Sequence, residues 1–246
     1  MLGEELSSSV TPASLAARRE SWQPVRDHLN EAEKHGRARE WVGACGAFLD
    51  ALEVGGLDWG MQGTPLVGLP LKIATVAVLA EDEALYARLC RELAERAVPG
   101  QLEFSSIALL RPDAVSPRTL SNALEIARGE ANRIPDAEHL KEGQRWTWLK
   151  RGIAEYRAGN ARQALEALGK ARKAFNLNCS GIAHAFSSLA ARQIGDVENS
   201  SDYLARAESN YQQILGGNAE RLSKYWHRVA QFELALAEAG AAQTVR

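Results

Sequence analysis

The residues best suited to nucleophilic chemistry in this chain are three cysteines, Cys45, Cys90 and Cys179. Cys45 stands between glycines in the segment VGACGAF, but no histidine lies beside it and its neighbours are apolar. A reactive thiol needs an exposed, electropositive setting. The three cysteines are widely spaced among apolar residues, which indicates buried thiols and not a disulfide framework or a zinc site. Free thiols predict a reducing compartment, and we expect a cytoplasmic protein.

The five histidines never occur in the two-histidine spacing that zinc hydrolases place on one helix. His28, Glu31 and His35 could share one helical face, and a metal site there is the alternative to a solvated helix surface or a helix cap. The solvated surface is the more frequent outcome of such a pattern. We therefore assign neither a metal ion nor a cofactor to this sequence.

A glycine cluster, GMQGTPLVG at 60–68, is the nearest approach to a phosphate-binding loop. It lacks the G-x-G-x-x-G spacing and a strand before it, so it favours a structural turn. Kinase catalysis further needs an ATP-binding lysine and two aspartates in known motifs, which we do not find. No serine stands in a G-x-S-x-G nucleophile elbow. These features predict a protein that is not an enzyme.

Charge is distributed unevenly along a chain whose formal net charge is −2. Between 141 and 173, nine basic residues accompany three acidic ones, whereas residues 1–64 lean acidic. A cationic patch of this kind could bind an acidic peptide, a phosphorylated segment or nucleic acid. The simpler alternative is a solvated helix surface, because charge runs carry little specificity by themselves. Nucleic-acid binding through 141–173 is therefore an alternative function and not the expected one.

Two tryptophans, Trp146 and Trp148, are two residues apart, so one helix cannot bury both on the same face. We predict Trp148 in the core and Trp146 packed against the preceding linker. The alternative leaves one indole partly exposed beside Lys150, where it could anchor a ligand.

The elements that must position these residues are helices, because apolar residues follow helical spacing almost throughout the chain. One such stretch runs through Ala161, Ala164, Leu165, Leu168, Ala171 and Phe175. No run alternates with period two for long enough to predict a strand. We predict an all-α fold of five hairpins and a last helix, 218–239, that covers the exposed end. The predicted pairs are 14–35 with 38–53, 67–80 with 83–97, 101–110 with 117–131, 144–158 with 160–175, and 181–194 with 196–215.

Glycines mark the predicted turns within these hairpins. Gly36, Gly159 and Gly195 each lie between two periodic helices and precede polar residues. Glycine ends a helix by adopting a left-handed conformation without a Cβ clash, and a short turn then starts an antiparallel partner. The segment AEDEALY at 80–86 is predicted to make the same turn without glycine.

Linkers divide the chain into four predicted segments. Residues 1–12 are polar and should form a flexible lead. The N-terminal hairpin and its loop occupy 13–65, and degenerate helical-repeat hairpins occupy 66–143. The best-formed repeats, with the capping helix, occupy 144–246. No stretch approaches the ~20 apolar residues that span a bilayer, and the N-terminus has no apolar core of a secretory signal.

The last two hairpins resemble tetratricopeptide repeats, which are helix–turn–helix units of about 34 residues. With Gly159 as the turn glycine, large residues fall at 148, 156 and 168 and small ones at 152, 164 and 171, and Gly195 follows after 36 residues. Arg151 and Ser200 depart from the usual leucine and alanine. The resemblance implies a right-handed α-solenoid of stacked antiparallel hairpins. The packing residues that it implies are Trp148, Gly152, Gly159, Ala164, Leu168, Ala171, Gly195, Leu204 and Ala207.

Residues 67–239 also resemble the helical C-terminal tails of planctomycete-type bacterial serine/threonine kinases. The likeness lies in the order of four segments: LAEDEALYARLCRELAER, ALLRPDAVSP, KRGIAEYRAGNARQALEALGKA and SLAARQIGDVENSSDYLARAE. It implies an interaction module of a kinase signalling system, with a kinase or another signalling protein as partner.

We therefore expect a non-catalytic scaffold that binds a protein or peptide segment in the concave groove of the stacked hairpins. The candidate groove residues are Leu149, Ile153, Tyr156 and Arg157, all on the inner helix of the best repeat. They are mostly apolar, so an apolar or amphipathic segment is expected, steered by Arg157. The alternatives are a regulatory or sensor module of a bacterial kinase system, and nucleic-acid binding. We expect no membrane partner.

Overall fold

The computed structural model of the chain is all-helical in the part that it describes. This part comprises residues 22–55, 69–96, 110–111, 113, 115–135 and 140–244. Its helices are α1 (Gln23–Ala38), α2 (Trp41–Gly55), α3 (Leu69–Leu79), α4 (Glu83–Arg96), α5 (Pro117–Asn132), α6 (Glu142–Arg157), α7 (Ala161–Ala171), α8 (Leu177–Gln193), α9 (Val197–Leu215), α10 (Ala219–Lys224) and α11 (Trp226–Thr244). The predicted all-α class is confirmed for these residues. The lead 1–12, the predicted helix 101–110 up to residue 109, and the glycine cluster 60–68 lie outside them.

The chain divides into two compact units, Met1–Val67 and Gly68–Arg246. In the first unit, α1 packs against α2 and buries Ala32, Phe48 and Ala51 completely. The helices meet closely at Gly43, where an added Cβ would lie 2.9 Å from Nδ1 of His35. In the second unit, successive helices from α5 to α9 pack against their neighbours, and α3 packs against α4.

One turn geometry recurs between the paired helices of both units. In each turn, a residue with positive φ is followed by a residue whose N–H donates to the carbonyl five positions earlier, as in a Schellman motif. The positive-φ residues are Arg39, Glu81, Gly159 and Gly195, with φ of 62°, 57°, 81° and 81°. The closing bonds run from Glu40 to His35 (3.0 Å), Asp82 to Ala77 (2.8 Å), Asn160 to Glu155 (2.8 Å) and Asp196 to Ala191 (2.9 Å).

These turns confirm three of the turn predictions and correct one. Gly159, Gly195 and the glycine-free segment at 80–86 turn as predicted. The prediction for Gly36 is wrong, because Gly36 is a buried residue inside α1. The helix continues to Ala38, and Arg39 takes the left-handed position while its N–H donates to the carbonyl of Gly36.

Close helix contact in the second unit depends on small residues. An added Cβ at Gly152 would lie 2.5 Å from Cγ of Leu168, so α6 and α7 meet at this point. The other packing residues of the predicted repeats lie in one core, and Gly159 and Gly195 lie in the turns. The buried set is Trp148, Gly152, Ala164, Leu168, Ala171, Leu204 and Ala207.

The helix predicted at 160–175 ends before its predicted last residue, and the prediction that Phe175 belongs to its apolar face is wrong. The helix α7 stops at Ala171, and the side chain of Phe175 is 92% exposed. The carboxylate of Glu142 accepts bonds from the N–H groups of Phe175 (3.2 Å) and Asn176 (3.0 Å). Asn176 then caps α8 by accepting from the N–H groups of Asn178 and Cys179. These bonds turn the chain before the helical apolar stripe can include Phe175.

The last helix also differs from its prediction. The segment predicted at 218–239 is broken at Tyr225 into α10 and α11. The helix α11 was expected only to cover the exposed end, but it contacts α3 as well as α8 and α9. Its fully buried Phe232 packs on Gly181, where an added Cβ would lie 2.1 Å from the Cζ atom of the ring. This contact seats α11 directly against the backbone of α8.

A buried ion pair joins α5 to α6. The Glu155 side chain, 1% exposed, accepts two bonds from Arg128 (2.8 and 2.7 Å) and one from the Asn160 amide (2.9 Å). Burial alone would raise the pKa of Glu155, but these bonds, with the charges of Arg128 and Arg151, hold it below its usual value. The pair therefore ties the Gly159 turn to α5.

Glu130 on α5 is a buried carboxyl in the opposite situation. It is 9% exposed, and within the described residues neither of its oxygens has a hydrogen-bond partner. Burial raises its pKa, although the charges of Lys150 and Arg133 offset part of that effect. The folded state therefore binds the proton of Glu130 more tightly than the unfolded chain does. The stabilisation that this proton gives is complete below the unfolded pKa and is lost as pH rises through the folded pKa.

We expect Glu130→Gln to stabilise the protein by about 1 kcal/mol at pH 8, because the amide carries no charge to desolvate. The gain should vanish near pH 4, where the unfolded carboxyl also binds its proton. Urea unfolding at both pH values measures this difference, and Glu125→Gln, an exposed position on the same helix, is the control. An equal gain at both pH values, or a gain in the control, would contradict the expectation.

No helix in the described ranges combines the length and the apolar character needed to cross a membrane.

Candidate functional site

A cavity of about 600 Å³ lies inside the second unit, on the side where the concave groove was predicted. Helices α3, α6, α8 and α11 line it, together with the start of α4 and residues 110–111. A volume of this size is typical of small-molecule sites, which range over roughly 300–1,000 Å³. The cavity is therefore the first candidate for a binding site.

The walls of the cavity are mainly apolar. Each of the four helices contributes at least two apolar side chains. They are Leu71 and Val78 from α3, Trp146, Leu149 and Ile153 from α6, Ile182 and Phe186 from α8, and Leu234 and Ala235 from α11. Such a wall offers hydrophobic contact to whatever enters it.

Among the described residues that line the cavity, the charged groups are balanced in sign. Three cations, Arg111, Lys150 and Arg157, and three carboxylates, Glu81, Glu83 and Glu238, line it. Arg111 donates to Glu83 (2.6 Å). Arg157, whose side chain is 10% exposed, donates through both terminal nitrogens to the carboxylate of Glu238, with 2.6 Å between Nη2 and Oε2.

A polar link joins α11 to α3 at the cavity wall. The hydroxyl of Thr75 donates to the carbonyl of Leu71 (2.7 Å) and accepts from the amide nitrogen of Gln231 (3.1 Å). Gln231 is 8% exposed and lines the cavity, whereas Thr75 is fully buried. Because the hydroxyl proton is committed to Leu71, the Gln231 amide must face Thr75 with its nitrogen.

A shallower groove of about 490 Å³ lies one turn further along α11. Its lining comes from the C-terminal ends of α6 and α8, the Gly159 turn and Ala242 of α11. The lining residues are Tyr156, Arg157, Gly159, Leu189, Arg192, Gln193 and Ala242. Arg157 lines both the groove and the cavity, so its pair with Glu238 stands between them.

The four predicted groove residues are thus distributed over two sites. Leu149, 3% exposed, belongs to the core and to the cavity wall, and Ile153 lines the cavity. Tyr156 lines the shallow groove and packs edge-on against Phe186, with ring centroids 5.8 Å apart. Arg157 lines both sites and is held by Glu238 of the same chain. The predicted binding groove stays a prediction.

Sequence reasoning missed the residues that α11 brings to the site. The sequence predicts a last helix that only covers the exposed end, and this helix contains Gln231, Leu234, Ala235 and Glu238. A usable signal was present in the glycine of α8, since Gly181 lies mid-helix without a turn to explain it. Such a glycine often marks the close approach of another helix.

Trp146 and Trp148 differ in burial, and the predicted core position of Trp148 is confirmed. Trp148 is buried, and the ammonium of Lys170 lies 3.8 Å from its ring centroid. Trp146 is half-buried and faces the cavity, with the guanidinium of Arg228 5.2 Å from its ring centroid. Trp146 therefore lies against α11 and the cavity, and the alternative that its indole anchors a ligand stays a prediction.

Much of the basic run 141–173 is engaged inside the protein. The Arg145 guanidinium donates to the carbonyl of Lys170 (3.0 Å), and Arg151 donates to Asn132 (3.3 Å). Arg172 donates to Ser187 (2.8 Å) and lies 4.2 Å from the Tyr203 ring centroid. Cations held in this way are poorly placed to contact a phosphate backbone.

The cysteines and histidines show no reactive arrangement in the described residues. All three cysteines are buried, and burial raises the pKa of Cys90 and of Cys179 to about 12. His35 lies 3.3 Å from Glu31 and 2.5 Å from Glu40, within hydrogen-bond distance of both carboxylates. Across these residues, no three His, Cys, Asp or Glu side chains converge closely enough to hold a metal ion.

The cavity of the second unit combines an apolar wall with side-chain ion pairs. The described lining of the cavity contains no Cys, Ser or His side chain. Comparison of the chain with protein-family models, curated proteins and solved structures finds no match in any of the three. The resemblance to tetratricopeptide repeats and kinase tails therefore stays a prediction.

Proposed function

We propose that the chain is a non-catalytic protein-interaction scaffold, a right-handed solenoid of tetratricopeptide type whose concave face binds a segment of another protein. Three features support this proposal. Helices pair through short turns of one geometry, small residues bring neighbouring helices together, and two turn glycines are 36 residues apart. Each hairpin in such an array contacts mainly its neighbours, so that the inner helices present one extended surface.

The observation that carries the proposal is the shallow groove between the ends of α6 and α8. It contains Tyr156 and Arg157 from the predicted set of groove residues. Tyr156 and Leu189 supply apolar contact, while Arg192 adds a positive charge. A segment that places an apolar side chain beside a carboxylate fits this lining.

Photo-crosslinking tests the proposal at single-residue resolution. The crosslinker p-benzoylphenylalanine would replace Gln193, an exposed residue of the groove, in the full chain expressed in its own host. The matched control carries it at Gln163, an exposed glutamine on the outer helix α7. We expect discrete protein adducts at 193 that are absent at 163 and that weaken when Tyr156→Ala is added.

Equal labelling at both positions, or no adduct at 193, would contradict the groove as the binding face. A serine/threonine kinase among the adducts would support the regulatory alternative.

A further inference from the structure

The 600 Å³ cavity is separate from the shallow groove, and the scaffold function does not use it. Its walls come from α3, α6, α8 and α11 of one compact unit. The wall from α11 is fixed by the contact between Phe232 and Gly181, the ion pair between Glu238 and Arg157, and the bond from Gln231 to Thr75. A ligand would therefore enter a shaped cavity and need not displace α11.

We propose that this cavity binds a small, uncharged, mainly apolar molecule that carries one hydroxyl group. The inference goes beyond the protein-binding groove and stands independently of it. It rests on the apolar walls, the balanced charges and the orientation of Gln231.

The charges of the described lining give no net attraction to an ion. Among the described residues, three cations and three carboxylates line the cavity, and two of the cations, Arg111 and Arg157, are directly bonded to Glu83 and Glu238. An ionised ligand loses its hydration on entry and must compete with these existing pairs for a counter-charge. An uncharged ligand has no such cost and gains the full apolar contact.

Gln231 determines which polar group the ligand should carry. One N–H of its amide is committed to Thr75, whose own proton goes to the carbonyl of Leu71. Gln231 can still offer its carbonyl oxygen, which accepts, and its second N–H, which donates. A ligand hydroxyl can use both groups, because it donates and accepts, whereas an ether, an ester or a carboxylate can only accept.

The first test uses Nile red, an uncharged apolar dye, with the full-length chain. We expect saturable binding of one dye per chain with blue-shifted emission. Ile153→Trp and Val78→Phe, which fill the cavity from two different walls, should each weaken binding about tenfold or more, because they remove the apolar volume. Val197→Trp, at an exposed position, is the matched control and should bind as the wild type does.

The second test compares decan-1-ol with decanoate at pH 8 as competitors of Nile red. The chain lengths match, so only the head group differs. We expect decan-1-ol to bind about tenfold more tightly, because the carboxylate must be desolvated. Gln231→Leu should weaken decan-1-ol about fivefold more than it weakens Nile red, which has no donor.

The proposal is overturned if Nile red does not bind, if the filled variants that retain the helical circular dichroism of the wild type bind it normally, or if decanoate competes as well as decan-1-ol. An unchanged affinity of Gln231→Leu for decan-1-ol would remove the hydroxyl from the proposed ligand. None of these results depends on crosslinking at Gln193, so the scaffold function and the cavity site succeed or fail separately.

Discussion

Gly181→Ala should destabilise the protein by about 2 kcal/mol, although alanine is the better helix former. The added methyl would lie 2.1 Å and 2.3 Å from two ring atoms of Phe232. Phe232 is fully buried and packs edge-on against Tyr211, so its ring cannot swing away. Overpacking of this kind costs about 1–3 kcal/mol or more, which exceeds the gain of about 1 kcal/mol in helix propensity.

Thermal or urea unfolding measures the effect of Gly181→Ala, with an expected fall in Tm of about 4–8 °C. Gly129→Ala is the matched control, because Gly129 is also helical but an added Cβ there meets nothing within 4 Å. That control should gain up to about 1 kcal/mol. In a Phe232→Leu background, Gly181→Ala should cost at least about 1 kcal/mol less. Equal changes at 129 and 181 would show that α11 does not pack on Gly181.

Arg128→Met should cost about 2–3 kcal/mol at pH 7. It removes two hydrogen bonds from Glu155, which is 1% exposed and, among the described residues, keeps Asn160 and the more distant Arg151 as partners. Removing one partner of a buried pair leaves a buried charge uncompensated, and that penalty dominates. Solvent screens the pair at Arg128, whose side chain is 42% exposed, so the cost stays below that of a fully buried pair.

The pH dependence of this loss distinguishes the ion pair from simple packing. The pKa of Glu155 is lowered in the folded protein, so its contribution is present above the unfolded pKa and disappears as pH falls through the folded pKa. The difference between Arg128→Met and the wild type should therefore shrink below about pH 4. Urea unfolding from pH 3 to 8 tests this, with the exposed Arg162→Met as control. A loss that is independent of pH would refute the ionic origin.

The helical class could be predicted because apolar spacing is a local property of the chain. The positions of the turns were harder to predict from the sequence. Four described turns share one hydrogen-bond pattern, but only two of them, at Gly159 and Gly195, have glycine at the left-handed position. Arg39 and Glu81 take the same left-handed conformation. Arginine and glutamate do not favour this conformation, so the sequence does not reveal it. Near Arg39, the glycine at position 36 led to a wrong prediction of the turn. The repeated bonds across these turns hold non-glycine residues in place.

The candidate site was predictable only in part, because it depends on contacts distant in sequence. The inner-helix residues 149, 153, 156 and 157 follow from repeat spacing, but their surroundings depend on Glu238 and on Gln231, which bonds to Thr75 across 156 residues. No local pattern reveals that pairing. Phe175 is a second example of a distant contact that local spacing does not reveal. Its helical spacing predicts burial, but its N–H donates to Glu142, 33 residues earlier, and the helix has already ended at Ala171.

Hydrogen exchange of the full chain tests most directly whether α11 packs against α3 and α8 as a wall of the cavity. If it does, backbone amides from Arg228 to Gly240 should be protected to the same degree as those of α8, because Phe232 and Gln231 bind α11 to two other helices. Gly181→Ala should lower the protection of α11 more than that of α1 and α2. Exchange of α11 at the rate of an unstructured peptide, while α8 remains protected, would contradict the α11 wall of the cavity.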